Sequence, residues 1–249
     1  MTGRSLIIGH RGAAGLAPEN SRAAFECAIA CGADGVECDV HLTSDGVPVV
    51  LHDAALGRTT DGKGPVAAHT ARDISRLALR KGGGAIPALH DVVHMLAPTK
   101  LLLNLEIKTA ARGRRYRGME AALAATLTDG GMIGRCVVSS FDWDCVTDFM
   151  RIARPARALG LISKRHLLLA GGPARCLDRA RRRGFDGICV PVEALNRRRI
   201  APDDRRTIWV YGVDTEAQMD RMLQAGFAAI ITDRPDIALI RREAIQAPS

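Results

Sequence analysis

Nine short apolar runs punctuate the chain between Leu6 and Ile231, and stretches with helical spacing lie between most of them. The runs are Leu6–Gly9, Gly35–Leu42, Val47–Leu51, Leu101–Ile107, Cys136–Ser139, Ala158–Ile162, Gly187–Val190, Ile208–Val213 and Ala229–Ile231. They are short and rich in Val, Ile and Leu, as strands buried on both faces are. Amphipathic helical spacing covers Ser21–Cys31, Met119–Leu127, Asp142–Ile152, Ala174–Arg183 and Glu216–Ala225. The first of these has Asn20 or Ser21 to cap its start and Gly32 to end it. Such alternation predicts βα units around a parallel sheet.

Nine strands are one too many for a (β/α)8 TIM barrel. Only Thr43-Ser44-Asp45-Gly46 separates the second run from the third, however. A parallel neighbour needs a crossover of about a dozen residues, so Val47–Leu51 must return antiparallel as the second arm of a hairpin. Pro48 suits an edge arm. Eight parallel strands remain, and 249 residues match the ~250 that such a barrel takes. The stretch from about 54 to 87 is too long for an ordinary loop and is expected to be a small insertion or lid over the barrel mouth. With no linker and no repeat, residues 1–249 are expected to form one catalytic barrel domain.

A chain that is 47% hydrophobic and 25% charged is neither disordered nor collagenous. The net charge of +8 comes mostly from arginine, clustered at Arg112–Arg117, Arg179–Arg183, Arg197–Arg199 and Arg205-Arg206. Aromatic residues make up only 4% and no stacking platform interleaves the arginines, so solvated helix faces are expected rather than a specific nucleic-acid partner. The seven cysteines, an odd number without a Cys-x-x-Cys pair, read as free core thiols of a reducing compartment. Leu6-Ile7-Ile8 is too short for a signal core, and no apolar run reaches the ~18 residues of a membrane span. A cytoplasmic location is the expectation.

Barrel active sites lie at the C-terminal ends of the strands. The first strand there ends in His10-Arg11-Gly12, the second carries Glu37 and Asp39, and the fourth ends in Glu106 and Lys108. Residues two apart share a strand face. Cys38, Leu105 and Ile107 then face the helices. With Asp45-Gly46 as a two-residue hairpin loop, Ser44 pairs with Val47 and Asp39 lies directly opposite His52.

Three carboxylates at one point repel one another unless a cation or protons neutralise them. Hard oxygen ligands with no Cys indicate a divalent cation such as Mg²⁺, Ca²⁺ or Mn²⁺. His10 and His52 beside it suit general base and general acid, in that order. Arg11 and Lys108 suit a substrate phosphoryl group. Together these residues point to metal-assisted cleavage of a phosphate ester. His41, His69, His90, His94 and His166 have no comparable setting and are expected to be structural.

His10-Arg11-Gly12, Pro18-Glu19-Asn20-Ser21, Glu37-Cys38-Asp39-Val40, Asp45-Gly46, His52-Asp53 and Arg58-Thr59-Thr60 resemble the signature of glycerophosphodiester phosphodiesterases. Pro87-Ala88-Leu89, Glu106-Ile107-Lys108, Ser140-Phe141 and Thr232-Asp233-Arg234-Pro235 continue it in order along nearly the whole chain. The resemblance implies a barrel with an insertion, a divalent cation on Glu37, Asp39 and Glu106, and catalytic His10 and His52. It implies hydrolysis of a small-molecule glycerophosphodiester to sn-glycerol 3-phosphate and an alcohol, as in cytosolic bacterial members. Where the family usually shows Trp-x-Val-Asn, this chain has Tyr211-Gly212-Val213-Asp214. Tyrosine keeps an aromatic wall, whereas aspartate replaces a donor-acceptor amide by an acceptor alone. Two alternatives stand beside this reading. One is a sphingomyelinase D-like or phosphoinositide phospholipase-like enzyme forming a cyclic phosphate. The other is a non-enzymatic barrel that binds phosphate or nucleic acid.

Overall fold

The computed structural model describes residues 4–195 and 200–246. The arginine run 197–199 lies outside the described residues. The chain opens with β1 (Leu6–Gly9), α1 (Arg22–Cys31), β2 (Gly35–Leu42) and β3 (Pro48–Val50). A short helix α2 (Ala71–Ile74) and a two-stranded sheet of β4 (Ala78–Leu79) and β5 (Gly84–Ala85) follow, then α3 (Leu89–Leu96) and β6 (Leu102–Ile107). Next come α4 (Met119–Asp129), β7 (Cys136–Ser140), α5 (Trp143–Ile152) and β8 (Arg157–Leu161). After these run α6 (Lys164–Leu169), α7 (Pro173–Arg182), β9 (Gly187–Pro191), α8 (Pro202–Arg205) and β10 (Ile208–Tyr211). The chain then forms α9 (Glu216–Ala225), β11 (Ala229–Thr232) and α10 (Pro235–Gln246).

Eight parallel strands run in the order β1-β11-β10-β9-β8-β7-β6-β2, and β2 pairs back onto β1 to close a (β/α)8 TIM barrel. Closure is short, with only Ile8↔Gly35 and Gly9↔Val36 in register. Above that point β3 pairs antiparallel with β2. The expected antiparallel arm is therefore present, at the end of the sheet order.

Its register is shifted by one from the expected one. The pairs are Val40↔Val50, His41↔Val49 and Leu42↔Pro48, so Asp39 faces Leu51 rather than His52. The loop has three residues, because Thr43 N–H donates to the Val47 carbonyl at 3.1 Å and Gly46 N–H donates to the Thr43 carbonyl at 3.1 Å. Gly46 has φ +83°, the left-handed step that a three-residue hairpin requires. Asp45 is held elsewhere: its Oδ1 accepts from Thr43 Oγ1 at 2.6 Å and from the Ala71 N–H at 2.9 Å, which anchors the start of α2.

Strand alternation sorts the side chains into layers. Ile8, Val137, Leu159, Leu161, Trp209 and Ile231 fill the barrel interior. Val36, Cys38, Val40, Leu103, Leu105 and Ile107 point outward and pack with Phe25, Leu123 and Phe149 of the helices. This leaves Glu37, Asp39, Asn104 and Glu106 on the inner face. The insertion has a core of its own, made of Val49, Leu51, Leu56, Val66, Ile74, Leu79 and Ile86. Among the described residues no helix is long and apolar enough to cross a membrane. Five of the seven cysteines are buried, and Cys27 and Cys31 are partly exposed.

Candidate active site

β1 ends at Gly9, and the chain turns sharply so that Arg11 and Gly12 take left-handed backbone angles (φ 49° and 85°). A Cβ on Gly12 would lie 2.6 Å from the backbone of Ala24, so both the angle and the space there call for glycine. The turn aims the N–H of Arg11 at Glu37 Oε2 (3.0 Å) and the N–H of Gly12 at the Glu37 carbonyl (3.2 Å). A left-handed arginine is costly, and these bonds from the β2 edge hold it in place.

The structure brings the seven predicted residues to one end of the barrel. Asp39 and Glu106 are in register on the neighbouring strands β2 and β6. Oxygen atoms of Glu37, Asp39 and Glu106 all lie within 4.8 Å of one another. Lys108 Nζ sits 2.8 Å from Asp39 and 2.5 Å from Glu106. Arg11 Nε is 3.2 Å from Asp39, and His10 Nε2 is 4.0 Å from Glu37. His52 follows the end of β3, shares a cavity with Glu106 and Lys108, and feels the charges of Lys108, Asp39 and Arg11.

Each histidine has one nitrogen pinned. His10 Nδ1 donates to Asp233 at 2.7 Å, and His52 Nδ1 donates to Asp53 at 2.6 Å. Carboxylates only accept, so each Nδ1 carries a proton and each Nε2 is left for chemistry. The two rings are driven in opposite directions. Burial pulls His10 down, but Asp233 and Glu37 outweigh it and the ring ends above its ordinary value. Burial and the nearby Lys108 leave His52 below its ordinary value.

The carboxylates also diverge. Burial pushes Glu37 well above the usual carboxylate range, and Asp39 adds to this. Burial likewise raises Glu106, against the pull of Lys108. In Asp39 the charges of Lys108, Arg11 and His52 overcome burial and hold the carboxyl well below its usual range. Two strained carboxylates beside a charged one, all oxygen donors, fit a hard divalent cation.

Several supporting residues went unassigned at the sequence level. Asn20, buried with φ 56°, donates its amide to Asp39 Oδ2 at 2.9 Å. The helix cap is Ser21, whose Oγ accepts from Ala24 N–H at 3.1 Å. Glu19 bridges Arg11 (2.8 Å) to Arg58 (2.7 Å) of the insertion, and Arg58 also binds Asp53 (2.5 Å). His41 is buried, and its Nδ1 lies 2.8 Å from the Tyr116 hydroxyl while its Nε2 lies 3.1 Å from the His52 carbonyl. Burial drives His41 down to about 4, so it is neutral near pH 7 and its Nε2–H donates to His52. His41 continues the two-residue alternation of Glu37 and Asp39, which is the signal that could have marked it. Asp214 accepts the Asp233 N–H at 2.8 Å and so steadies the loop that pins His10. Tyr211 donates its hydroxyl to the Ile162 carbonyl at 3.2 Å.

Two cavities flank the cluster. One, of about 560 Å³, is lined by His10, Arg11, Asp233, Arg58 and Arg80. The other, of about 840 Å³, is lined by His52, Glu106, Lys108 and Phe141 and continues to Trp143.

The family model described as "Glycerophosphoryl diester phosphodiesterase family" matches residues 10–237. The chain belongs to this family. A glycerophosphodiester phosphodiesterase of Caldanaerobacter subterraneus subsp. tengcongensis is 32% identical, over 96% of this chain and 99% of its own length. One from Bacillus altitudinis is 31% identical, over 95% of this chain and 98% of its own length. The crystal structure of glycerophosphodiester phosphodiesterase from Agrobacterium tumefaciens superposes with a TM-score of 0.76 at 27% identity, covering 95% of this chain and 99% of that one. The protein is thus a phosphodiesterase of this family.

Proposed function

We propose that this chain hydrolyses glycerophosphodiesters to sn-glycerol 3-phosphate and an alcohol, with a divalent cation and with His10 and His52 moving the protons. Residues 1–249 serve as one catalytic unit with 54–87 as its insertion. One observation carries the reading: two imidazoles, each with Nδ1 tied to an aspartate and Nε2 without a hydrogen bond among the described residues, flank a three-carboxylate cluster. The relatives from Caldanaerobacter and Bacillus bear the name of this activity over nearly the full chain.

Glu37, Asp39 and Glu106 would hold the cation, which when bound supplies Lewis acidity and positive charge at the phosphoryl group. Arg11 and Lys108 add positive charge for the phosphoryl oxygens. His10 takes the proton of the attacking oxygen at Nε2. The new P–O bond forms as the P–O bond to the alcohol breaks, and the departing alkoxide takes a proton from His52 Nε2. The protonation tendencies in the chain alone oppose this order, because the hydrogen bond to Asp233 and the charge of Glu37 draw His10 upward. A cation held by Glu37 would cancel that carboxylate's share of the draw and so favour His10 as a base. The larger cavity lies on the His52 side and suits the departing alcohol.

The deciding experiment measures glycerol 3-phosphate release from glycerophosphocholine with and without chelator, with phosphorus NMR of the product. Release that stops with chelator and returns with Mg²⁺, Mn²⁺ or Ca²⁺ is expected. A cyclic phosphate as the final product would move the chain to the phospholipase-like alternative. No release under any of these metals would refute the reading.

A further inference from the structure

The larger cavity extends beyond what a small alcohol fills. Its lining joins His52 and Lys108 with Phe141, Ile162, Trp143, Arg179 and Arg183. Its volume of about 840 Å³ falls in the range of sites for drug-sized ligands, roughly 300–1,000 Å³. Phe141 and Leu169 are left 49% and 73% exposed along its wall, an apolar path rather than a packed one.

Trp143 is fixed at the far end. Its Nε1–H donates to the Leu161 carbonyl at 3.0 Å, and its ring lies over Gly160, where a Cβ would come within 2.4 Å of the indole. The guanidinium carbons of Arg179 and Arg183 each lie 5.9 Å from the ring centroid. The two arginines differ in charge balance. Arg183 is paired with Asp144 at 2.6 Å, so the charge of one cancels the other. Asp142 spends its carboxylate on the Asp144 N–H at 3.0 Å as the cap of α5. Among the described residues Arg179 has no carboxylate within ion-pair reach. Stacking engages only the face of a guanidinium, and its N–H donors point outward from the edge. Arg179 is therefore an exposed cation beside the indole, and among the described residues nothing accepts a hydrogen bond from its fork.

We propose that Arg179 on Trp143 forms a subsite for an anionic group, a carboxylate or phosphate, at the far end of the departing alcohol. The inference rests on the proposed diesterase reading and adds a substrate class to it: glycerophosphodiesters whose alcohol has an apolar spacer ending in an anion. The spacer lies along Phe141, Ile162 and Leu169, and the anion meets the edge of Arg179.

The test uses glycerophospho diesters of ω-hydroxy acids with three to ten carbons, each paired with its uncharged carboxamide. Glycerophosphocholine serves as the reference substrate. At one spacer length kcat/KM for the acid should exceed that for its amide by about tenfold or more, the size expected of a charged hydrogen-bonded pair. Arg179→Ala should bring that ratio to about one, and Arg179→Lys should keep part of it. Free ω-hydroxy acid of the preferred length should change Trp143 fluorescence in the parent, whereas the amide should not. Acid and amide turning over equally at every length, or a ratio that survives Arg179→Ala, would overturn the subsite. A chain that releases nothing from glycerophosphocholine while the acid still shifts Trp143 fluorescence would remove the diesterase reading and leave the anion site standing.

Discussion

His10 holds its Nδ1 2.7 Å from Asp233, a residue 223 positions further along the chain. This bond closes the barrel chemically where β1 meets β11, since Gly9 and Thr232 are neighbours in register. It fixes the tautomer and the aim of the ring. Asp233→Asn should lower kcat by ~10²–10⁴ and leave KM nearly unchanged, because the amide orients the ring without stabilising its charge. Steady-state kinetics on glycerophosphocholine decide it, and parental kcat would refute the role.

The roles of the two histidines separate by leaving group. His52→Ala should cripple hydrolysis of glycerophosphocholine, by ~10²–10⁴. It should largely spare a p-nitrophenyl diester of glycerol phosphate, whose phenolate leaves without a proton. His10→Ala should cripple both. The reverse pattern, which the present protonation tendencies would favour, would exchange acid and base.

Glu37→Gln, Asp39→Asn and Glu106→Gln should each weaken binding of a divalent cation. The measurement is a Mn²⁺ titration followed by isothermal calorimetry or by the thermal midpoint. Binding equal to the parent in all three variants would place any cation elsewhere.

Tyr116→Phe removes the hydroxyl that donates to buried His41 Nδ1 at 2.8 Å. An unpaired acceptor of this kind costs about 1–3 kcal/mol. Urea unfolding should show that loss, and a neutral result would mean that water takes the place of the hydroxyl.

Thiol labelling tests the burial of the cysteines. Burial pushes Cys136 and Cys145 up to about 12, so neither supplies thiolate at neutral pH. Native protein should take iodoacetamide only at Cys27 and Cys31, which are partly exposed, and denatured protein at all seven. Rapid native labelling at Cys38 or Cys189, read by mass spectrometry, would contradict the packing.

The eight barrel strands were legible because burial on both faces leaves unbroken Val-Ile-Leu runs in the sequence. Their ends were less so: Ile208–Val213 stops at Tyr211, where Gly212 turns with φ +71°. The short helices α2, α3, α6 and α8 gave too few turns for their spacing to stand out. α10 starts at Pro235, directly after the Thr232-Asp233-Arg234 turn, with no separate cap in its sequence. The hairpin differs by one from the expected register, and Asp45 is engaged by the Ala71 N–H, a partner 26 residues away that local spacing does not register. The seven central residues were legible from alternation on β2 and β6 and from the strand ends. Asp233, Tyr116 and Arg58 act through folding contacts across long stretches of chain, which local spacing does not register. Asp53 was within view, adjacent to His52, and its orienting role emerges only from the 2.6 Å bond.

The insertion at 54–87 packs around a seven-residue apolar cluster that is apart from the core between barrel and helices. Only Val49 and Leu51 of that group come from the β3 arm and its end, on the face they share with Asp39 and His41. The segment is thus a cassette with two plugs. Exchanging it between relatives would trade the walls contributed by Arg58 and Arg80 while the proton-carrying and carboxylate groups stay on the strands and their ends. Changes in that segment can therefore reshape the approach past Arg58 and Arg80 while the barrel strands keep the carboxylates where they are.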